Sequence, residues 1–325
     1  MSAVDASPSA QRRLVRQLIE SGGIVWIIVI VLFVFAAVSS PDFRSLGNLA
    51  NVSRQGAVLA LVALGHFVVV LTAGIDLSVG SVAKLSAIMT AVTMNGMAPR
   101  LLPGVIVALG VGAAVGAVNG FGITRLRVPP FVMTLGMLAV GQGIALAIAP
   151  QPRGRSSPQL AEFYGWQIGE VHVVVLLVAA VWVSAAFALY RRPWGRHVYA
   201  IGGHPEVARV SGIARRRVQF SAYLLSGMLA GLGGLLITAR SGVGDPNAGQ
   251  GLEFESLAAV VVGGASLFGG RGRLVGVLGG VVLLVMLNNV FNMVGIDVWY
   301  QQLAKGLLIL IAAALYLKPS TTGRA

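Results

Sequence analysis

Ten apolar runs of 15 to 21 residues, separated by short polar or Pro/Gly-rich breaks, fill this chain between residues 23 and 317. A helix needs about 20 apolar residues to cross roughly 30 Å of hydrocarbon. Only helices or closed barrels satisfy the backbone there. The runs are continuous rather than alternating, which favours helices over a barrel. They lie near 23–39, 56–74, 77–95, 101–121, 130–149, 171–190, 218–238, 254–268, 274–294 and 299–317. The expected fold is an all-α integral membrane protein of about ten transmembrane helices. The segment 254–268 is the shortest and is Gly-rich, with Gly263 and Gly264 inside it and Gly269 and Gly270 just after, so it reads as short or broken. The first run reads as an anchor rather than a cleaved signal, because it is long and the rest of the chain is itself polytopic.

Charge agrees with this reading. Only 11% of the 325 residues are charged, while 56% are hydrophobic. That is too few charges to coat a soluble domain. A soluble enzyme, a nucleic-acid binder and a disordered chain are thereby excluded together. The net charge of +13 has a simpler source in the positive-inside rule. With the N-terminus inside and ten crossings, sixteen Lys and Arg fall on the inner side and six on the outer, with Lys84 and Lys305 inside spans. The expected layout is a cytoplasmic tail 1–22, one membrane domain 23–318 carrying a cytoplasmic loop 191–217, and a cytoplasmic tail 319–325.

Within lipid, helices associate through close backbone contact. Ala108, Gly112, Gly116 and Gly120 form a four-residue ladder, and Gly227 with Gly231 and Gly276 with Gly280 repeat the spacing. These read as packing grooves, not as cofactor sites.

Catalytic signatures are missing. There is no cysteine, hence no disulfide, thiol nucleophile or Cys-ligated zinc. No HExxH, GxSxG or P-loop occurs; Lys84 and Lys305 follow alanine and Lys318 follows leucine. The chain is therefore expected to be no enzyme, to hold no metal or cofactor, and to rely on another subunit if ATP drives it. The eleven acids sit in tails, loops or span ends. With no centrally buried carboxylate evident, a proton-driven carrier is disfavoured.

In the loop 191–217, Pro205 at a first helical position, Glu206 in the first turn and Gly212 past the end outline a short helix over 204–212. It reads either as a solvated loop helix or as a docking knob for a cytoplasmic partner. At this point a resemblance emerges. Gly202–Ile213 (GGHPEVARVSGI), Ala73–Ser81 (AGIDLSVGS), Val128–Met137 (VPPFVMTLGM) and Ala258–Gly272 (AAVVVGGASLFGGRG) together resemble the permease subunits of ABC-type sugar importers of the ribose/xylose/arabinose group. The likeness covers roughly residues 40–318.

The resemblance implies a permease dimer of like or paralogous copies in a bacterial inner membrane. It also implies a cytoplasmic ATPase that uses ATP and Mg, and an extracytoplasmic sugar-binding protein. Its coupling helix would map onto Gly202, Pro205, Glu206, Ala208, Ser211, Gly212 and Ile213. His204 and Val207 depart from the asparagine and alanine usual there. Asp76 and Ser78 read either as caps of the third span or as a signature at the inner end of the pathway.

A neutral sugar needs hydrogen-bonding walls, so Thr134, Gln142, Ser226, Asn288, Asn289 and Asn292 are candidate pathway residues; each also reads as a helix–helix hydrogen bond. Lys84, roughly 12 Å past Asp76, must face the bundle interior, a partner or water. Lys305 is expected to snorkel. The function expected is the translocation pathway of an ATP-driven importer for a monosaccharide or similar small polar solute. The competing expectation is a self-sufficient ion-coupled secondary transporter.

Overall fold

The computed structural model describes residues 22–316, with side chains through residue 307. The tails 1–21 and 317–325 lie outside the described residues. Every apolar run is carried by a helix: α1 (Gly23–Ser39), α2 (Leu46–Leu71), α3 (Val79–Met94), α4 (Leu101–Thr124), α5 (Pro130–Ile148), α7 (Val173–Arg191), α10 (Arg215–Ser241), α11 (Leu252–Val262), α12 (Leu274–Val294) and α13 (Val298–Tyr316). Three short helices decorate the ends, α6 (Pro158–Gly165), α8 (Pro193–Gly203) and α9 (Pro205–Val210), with a two-residue hairpin, β1 (Gln167–Ile168) and β2 (Val171–His172), beside α6. The chain is thus a helical membrane protein. Six stretches are long and apolar enough to cross a membrane: Leu46–Leu71, Ala98–Thr124, Pro130–Ile148, Val173–Arg191, Arg215–Ser241 and Leu274–Val294.

Burial sorts the helices. All of α2 from Gly56 to Leu71 is buried. In contrast, α5 buries only Thr134, Gly141 and Ala145, and α7 only Val174, Val178, Trp182 and Leu189. So α2 is the axis of the bundle, while α5 and α7 present apolar surface outward, as lipid requires. The longest contacts join α10 to α4, α3 and α2.

The glycine ladders make those contacts. A Cβ on Gly112 would meet the Gly227 carbonyl, and one on Gly231 would meet the Ala108 carbonyl. Likewise Gly276 faces Gly263, and Gly280 faces Ala259. The sequence-level ladder on α4 is therefore a groove for α10, and the pair on α12 is a groove for α11. Hydroxyls fasten α3 to α10: Ser86 Oγ donates to the Gly231 carbonyl at 2.8 Å and Thr238 Oγ1 to that of Ala87 at 2.8 Å.

The chain alternates between two ends of the bundle. At the basic end, the Gly270 N–H donates to the Leu71 carbonyl at 2.9 Å. Gly202 lies against the same carbonyl, and Tyr199 Oη donates to the Gly272 carbonyl at 3.0 Å. Burial and the neighbouring Tyr190 hold the Tyr199 phenol above its ordinary pKa, so it stays a donor. At the opposite end, Arg153 and Gly244 exchange backbone hydrogen bonds of 2.9 and 3.1 Å, and Gly96 N–H donates to the Arg155 carbonyl at 3.0 Å.

Two boundaries differ from the sequence reading. α2 begins ten residues earlier than the apolar run, at Leu46, because Ser45 caps it by accepting from the Asn48 N–H at 3.2 Å. The run expected at 254–268 is helical only over Leu252–Val262, an extent of about 16 Å at 1.5 Å per residue. After α10 the chain runs uncoiled from Gly242, through Gly244 paired with Arg153, to Gly249 beside Gly80 and Lys84, and only there does α11 begin. This segment is broken, as its glycine content suggested, but the break precedes the helix as well as following it.

Candidate functional site

At the opposite end, the N-terminal half of α2, the C-terminal ends of α10 and α12, the uncoiled stretch 245–251 and the first turns of α13 enclose a cavity of about 550 Å³. Small-molecule sites span roughly 300–1,000 Å³. Its walls carry Gln55, Gln250, Asn288, Asn289, Asn292 and Gln301, with Arg240, Asp245, Glu255 and Lys305. Two cations and two anions balance, so the lining offers amide donors and acceptors without a net field. Asn289 and Asn48 exchange side-chain hydrogen bonds of 3.1 and 3.0 Å, tying α12 to α2. Gln301 Nε2 donates to Asn292 Oδ1 at 3.0 Å. Asn288 Oδ1 is buried without a partner among the described residues. It is the one acceptor of the asparagine trio without a protein partner.

The sequence-predicted pathway residues separate into two groups. Asn288, Asn289 and Asn292 line this cavity. Asp76, Ser78, Ser226 and Thr134 lie near the basic end, where they bond to protein. Asp76 Oδ1 accepts from the Ser78 N–H at 3.1 Å and from Ser78 Oγ at 2.6 Å, and Oδ2 accepts from Ser226 Oγ at 2.8 Å. Asn119 Nδ2 donates to Ser78 Oγ at 2.8 Å. Thr134 Oγ1 donates to the Pro130 carbonyl at 2.9 Å and to that of Ile75 at 3.3 Å. Asp76 is 1% exposed. The motif thus forms a hydrogen-bonded turn just before α3 and fastens it to α4 and α10; Ser78 precedes the helix without a side-chain cap, and none of these four lines that cavity. Gln142 is half-buried on α5, apart from both groups.

Several cavity residues went unnoticed in the sequence: Gln55, Arg240, Asp245, Gln250, Glu255 and Gln301. The available signal was spacing, since Asn288 with Asn292 and Gln301 with Lys305 stand four apart, on single helix faces. Lys305 does not merely snorkel; it pairs with Glu255. Nor are the acids all peripheral. Glu253 is 5% exposed and seated where Gly80 lacks a side chain. Lys84, itself buried at 7% exposure, lies within Coulombic range of it. The run boundaries had put Glu253 in a loop, because the uncoiled stretch before it looks like one.

On the basic end, α9 stands on the bundle with Ala208 buried and its other residues outward. Glu206 and Arg209 form an exposed ion pair at 2.9 Å. Val207 and Val210 are 60% and 73% exposed, an apolar pair that the sequence reading did not single out. Gly212 adopts φ +74° and its N–H donates to the Arg209 carbonyl, while the Ile213 N–H donates to that of Ala208 at 3.0 Å. Pro205, Ser211 and Gly212 are exposed. Gly202 is buried against Leu71 and Gly270 and anchors the loop.

Residues 48–313 match the protein family described as branched-chain amino acid transport system / permease component. The ribose import permease protein RbsC of Escherichia coli (strain K12) is 38% identical over 291 residues, covering 88% of this chain and 90% of that protein. The fructose import permease protein FrcC of Rhizobium meliloti is 36% identical over 304 residues, covering 89% and 83%. The D-allose transport system permease protein AlsC of Escherichia coli (strain K12) is 34% identical over 294 residues, covering 90% of each. No solved structure matches. Matched over most of its length, and built of apolar helices around a polar cavity, the chain belongs to this family of transport-system permease components.

Proposed function

We propose that this permease passes a neutral monosaccharide, or a polyol of similar size, into the cell in an ATP-driven importer. The observation that carries this is the charge-balanced, amide-lined cavity of about 550 Å³, whose wall includes Asn288, Asn289 and Asn292. The relatives' substrates, ribose, fructose and D-allose, are of that class. The cavity opens on the extracytoplasmic side, where a binding protein delivers the solute. The chain crosses ten times, with both termini cytoplasmic, in a bacterial inner membrane. α3, α11 and the uncoiled stretch before α11 contribute to the passage.

On the cytoplasmic side, α9 enters a groove on an ATPase subunit that binds ATP and Mg. Val207 and Val210 are its apolar contacts, and Glu206, Ser211 and Gly212 surround them. A second copy or paralogue of the chain completes the pathway. A secondary carrier is the poorer reading, because Glu255 is paired with Lys305 and Glu253 lies in the field of the buried Lys84, which disfavours a bound coupling cation.

The test is uptake of labelled ribose, fructose and allose into proteoliposomes holding permease, ATPase and binding protein. Uptake that requires all three components and ATP is the expected result. Uptake by the permease alone overturns the proposal. The chain has no cysteine, so single cysteines at Ser156 and Ser211, probed with an impermeant maleimide, read which end faces which side.

A further inference from the structure

A second cleft, of about 400 Å³, lies at the basic end, remote from the cavity above. It sits between the last turn of α4, the connection 125–129, the start of α5 and the first turns of α10. Arg127, Arg215 and Arg216 line it, with Gln219 behind them. No carboxylate lines it. Among the described residues, the ion pairs are Arg209 with Glu206 and Lys305 with Glu255, so none of the three guanidinium groups is neutralised.

The backbone beneath is held in costly conformations. Ala73 and Arg127 both line the cleft at φ +60°, and the remaining non-glycine residue at positive φ is Asn95, a helix C-cap. Such geometry persists only where the surroundings fix it, and it concentrates at ligand sites and switches. Here it turns Arg127 into the cleft, immediately before Val128, Pro129 and Pro130.

The chain on either side of the cleft is apolar and outward. Phe121, Leu126 and Phe131 flank it in sequence and are each more than half exposed. They continue the outward, lipid-facing surface of α4 and α5. A site that joins cations to such a surface matches a molecule with an anionic head and hydrocarbon tails. Unpaired arginine forks bind phosphate oxygens with directional, charge-assisted hydrogen bonds. Basic pockets between helices at a membrane surface take such headgroups.

We propose that this cleft binds the phosphate of an anionic phospholipid, with Arg127, Arg215 and Arg216 as its ligands. The proposal rests on the membrane reading above, but not on which face the cleft occupies. The alternative is that these arginines only set topology, as dispersed loop arginines do.

The experiment is native mass spectrometry of the purified full-length permease titrated with phosphatidylglycerol, with phosphatidylcholine as the neutral probe. The expected result is saturable retention of phosphatidylglycerol over phosphatidylcholine. At about fivefold per arginine, the variant R127Q/R215Q/R216Q should lose it by about 100-fold. The control R191Q/R192Q/R196Q removes three exposed arginines that do not line the cleft, and should stay within threefold of the parent. An equal loss in both variants, or no preference in the parent, overturns the proposal. Inorganic phosphate is the second probe. If it binds as tightly as the lipid and displaces it, the site takes a free anion and the lipid assignment fails. If the triple variant does not elute as a monodisperse species, R127Q and R216Q are read singly; a fivefold loss in each supports the site, and unchanged retention sinks it. Detergent-solubilised protein exposes both ends, so failure here is distinguishable from an error in orientation.

Discussion

Glu255 on α11 and Lys305 on α13 form an ion pair in the wall of the amide-lined cavity, each side chain less than a third exposed. Glu253, two residues earlier, lies within Coulombic range of the buried Lys84 of α3, beyond ion-pair distance. Helix α11 is therefore joined to α13 by an ion pair and to α3 by a longer-range attraction, at the point where the chain resumes its coil.

Breaking the Glu255–Lys305 tie should loosen the cavity wall. E255Q and K305M each leave one half-buried charge without its mate. We expect each to cost about 1 kcal/mol, the upper range for a partly solvated pair, and to lower uptake several-fold. The exchange E255K/K305E should recover most of the loss. Uptake in proteoliposomes and thermal unfolding of the three variants check this, and no recovery in the exchanged pair would remove the proposed tie.

A second coupling runs deeper and at longer range, between the buried Glu253 and Lys84. Lys84→Met removes that cation, and the coupling expected between two such neighbours is about 0.5–3 kcal/mol. The double variant K84M/E253Q should be more stable than K84M alone, because no unmatched charge remains. A double-mutant cycle on the melting curves reads the coupling directly.

Asp76 is held by Ser78 and Ser226 within the protein. Asp76→Ala should therefore act on folding, at about 2–4 kcal/mol for several buried donors left without an acceptor. Substrate affinity in the surviving folded fraction should be unchanged. A shifted apparent affinity at normal stability would instead place Asp76 in contact with the solute.

Close packing of α4 on α10 admits a paired test. Gly227→Leu inserts a side chain against the Gly112 carbonyl and the Gly116 backbone, and should cost about 3 kcal/mol, at the top of the overpacking range. Gly110→Leu, on the same α4 helix but with open space around it, should be nearly neutral. Yields of monodisperse protein measured side by side distinguish the two.

Gly212 has open space around it but a left-handed backbone. Gly212→Val should cost about 1–2 kcal/mol of local strain at the end of α9 while the bundle stays folded. Solute-stimulated ATP hydrolysis in the reconstituted importer should fall sharply. Gly212→Asn, which tolerates that conformation, should retain most of it.

Much of this architecture was legible because membranes enforce it. Long apolar runs must be helices, and small residues four apart must be grooves, so the ladder at Gly112 and Gly116 identified its own function. The helix after His204 was legible from Pro205 and Gly212, whose backbone demands are specific. The cavity was not. A polar, glycine-containing stretch such as 242–251 looks the same in sequence whether it lies in solvent or descends through a bundle. That ambiguity hid Gln250 and misplaced Glu253. The polar start of α2 concealed Gln55 for a related reason, since hydropathy marks where apolar residues begin and not where the helix does. Asp76 shows the converse limit, because a recognisable motif named the residue but could not say that its oxygens were already engaged.

The sixteen consecutive buried residues of α2 insulate the middle of this molecule from the bilayer. Changes in acyl-chain length or sterol content reach α1, α5 and α7 first, where side chains touch the annulus, and those helices can tilt to accommodate them. The axis that they surround keeps its surroundings unchanged, so moving this protein between host membranes of different thickness should leave the geometry next to the cavity intact.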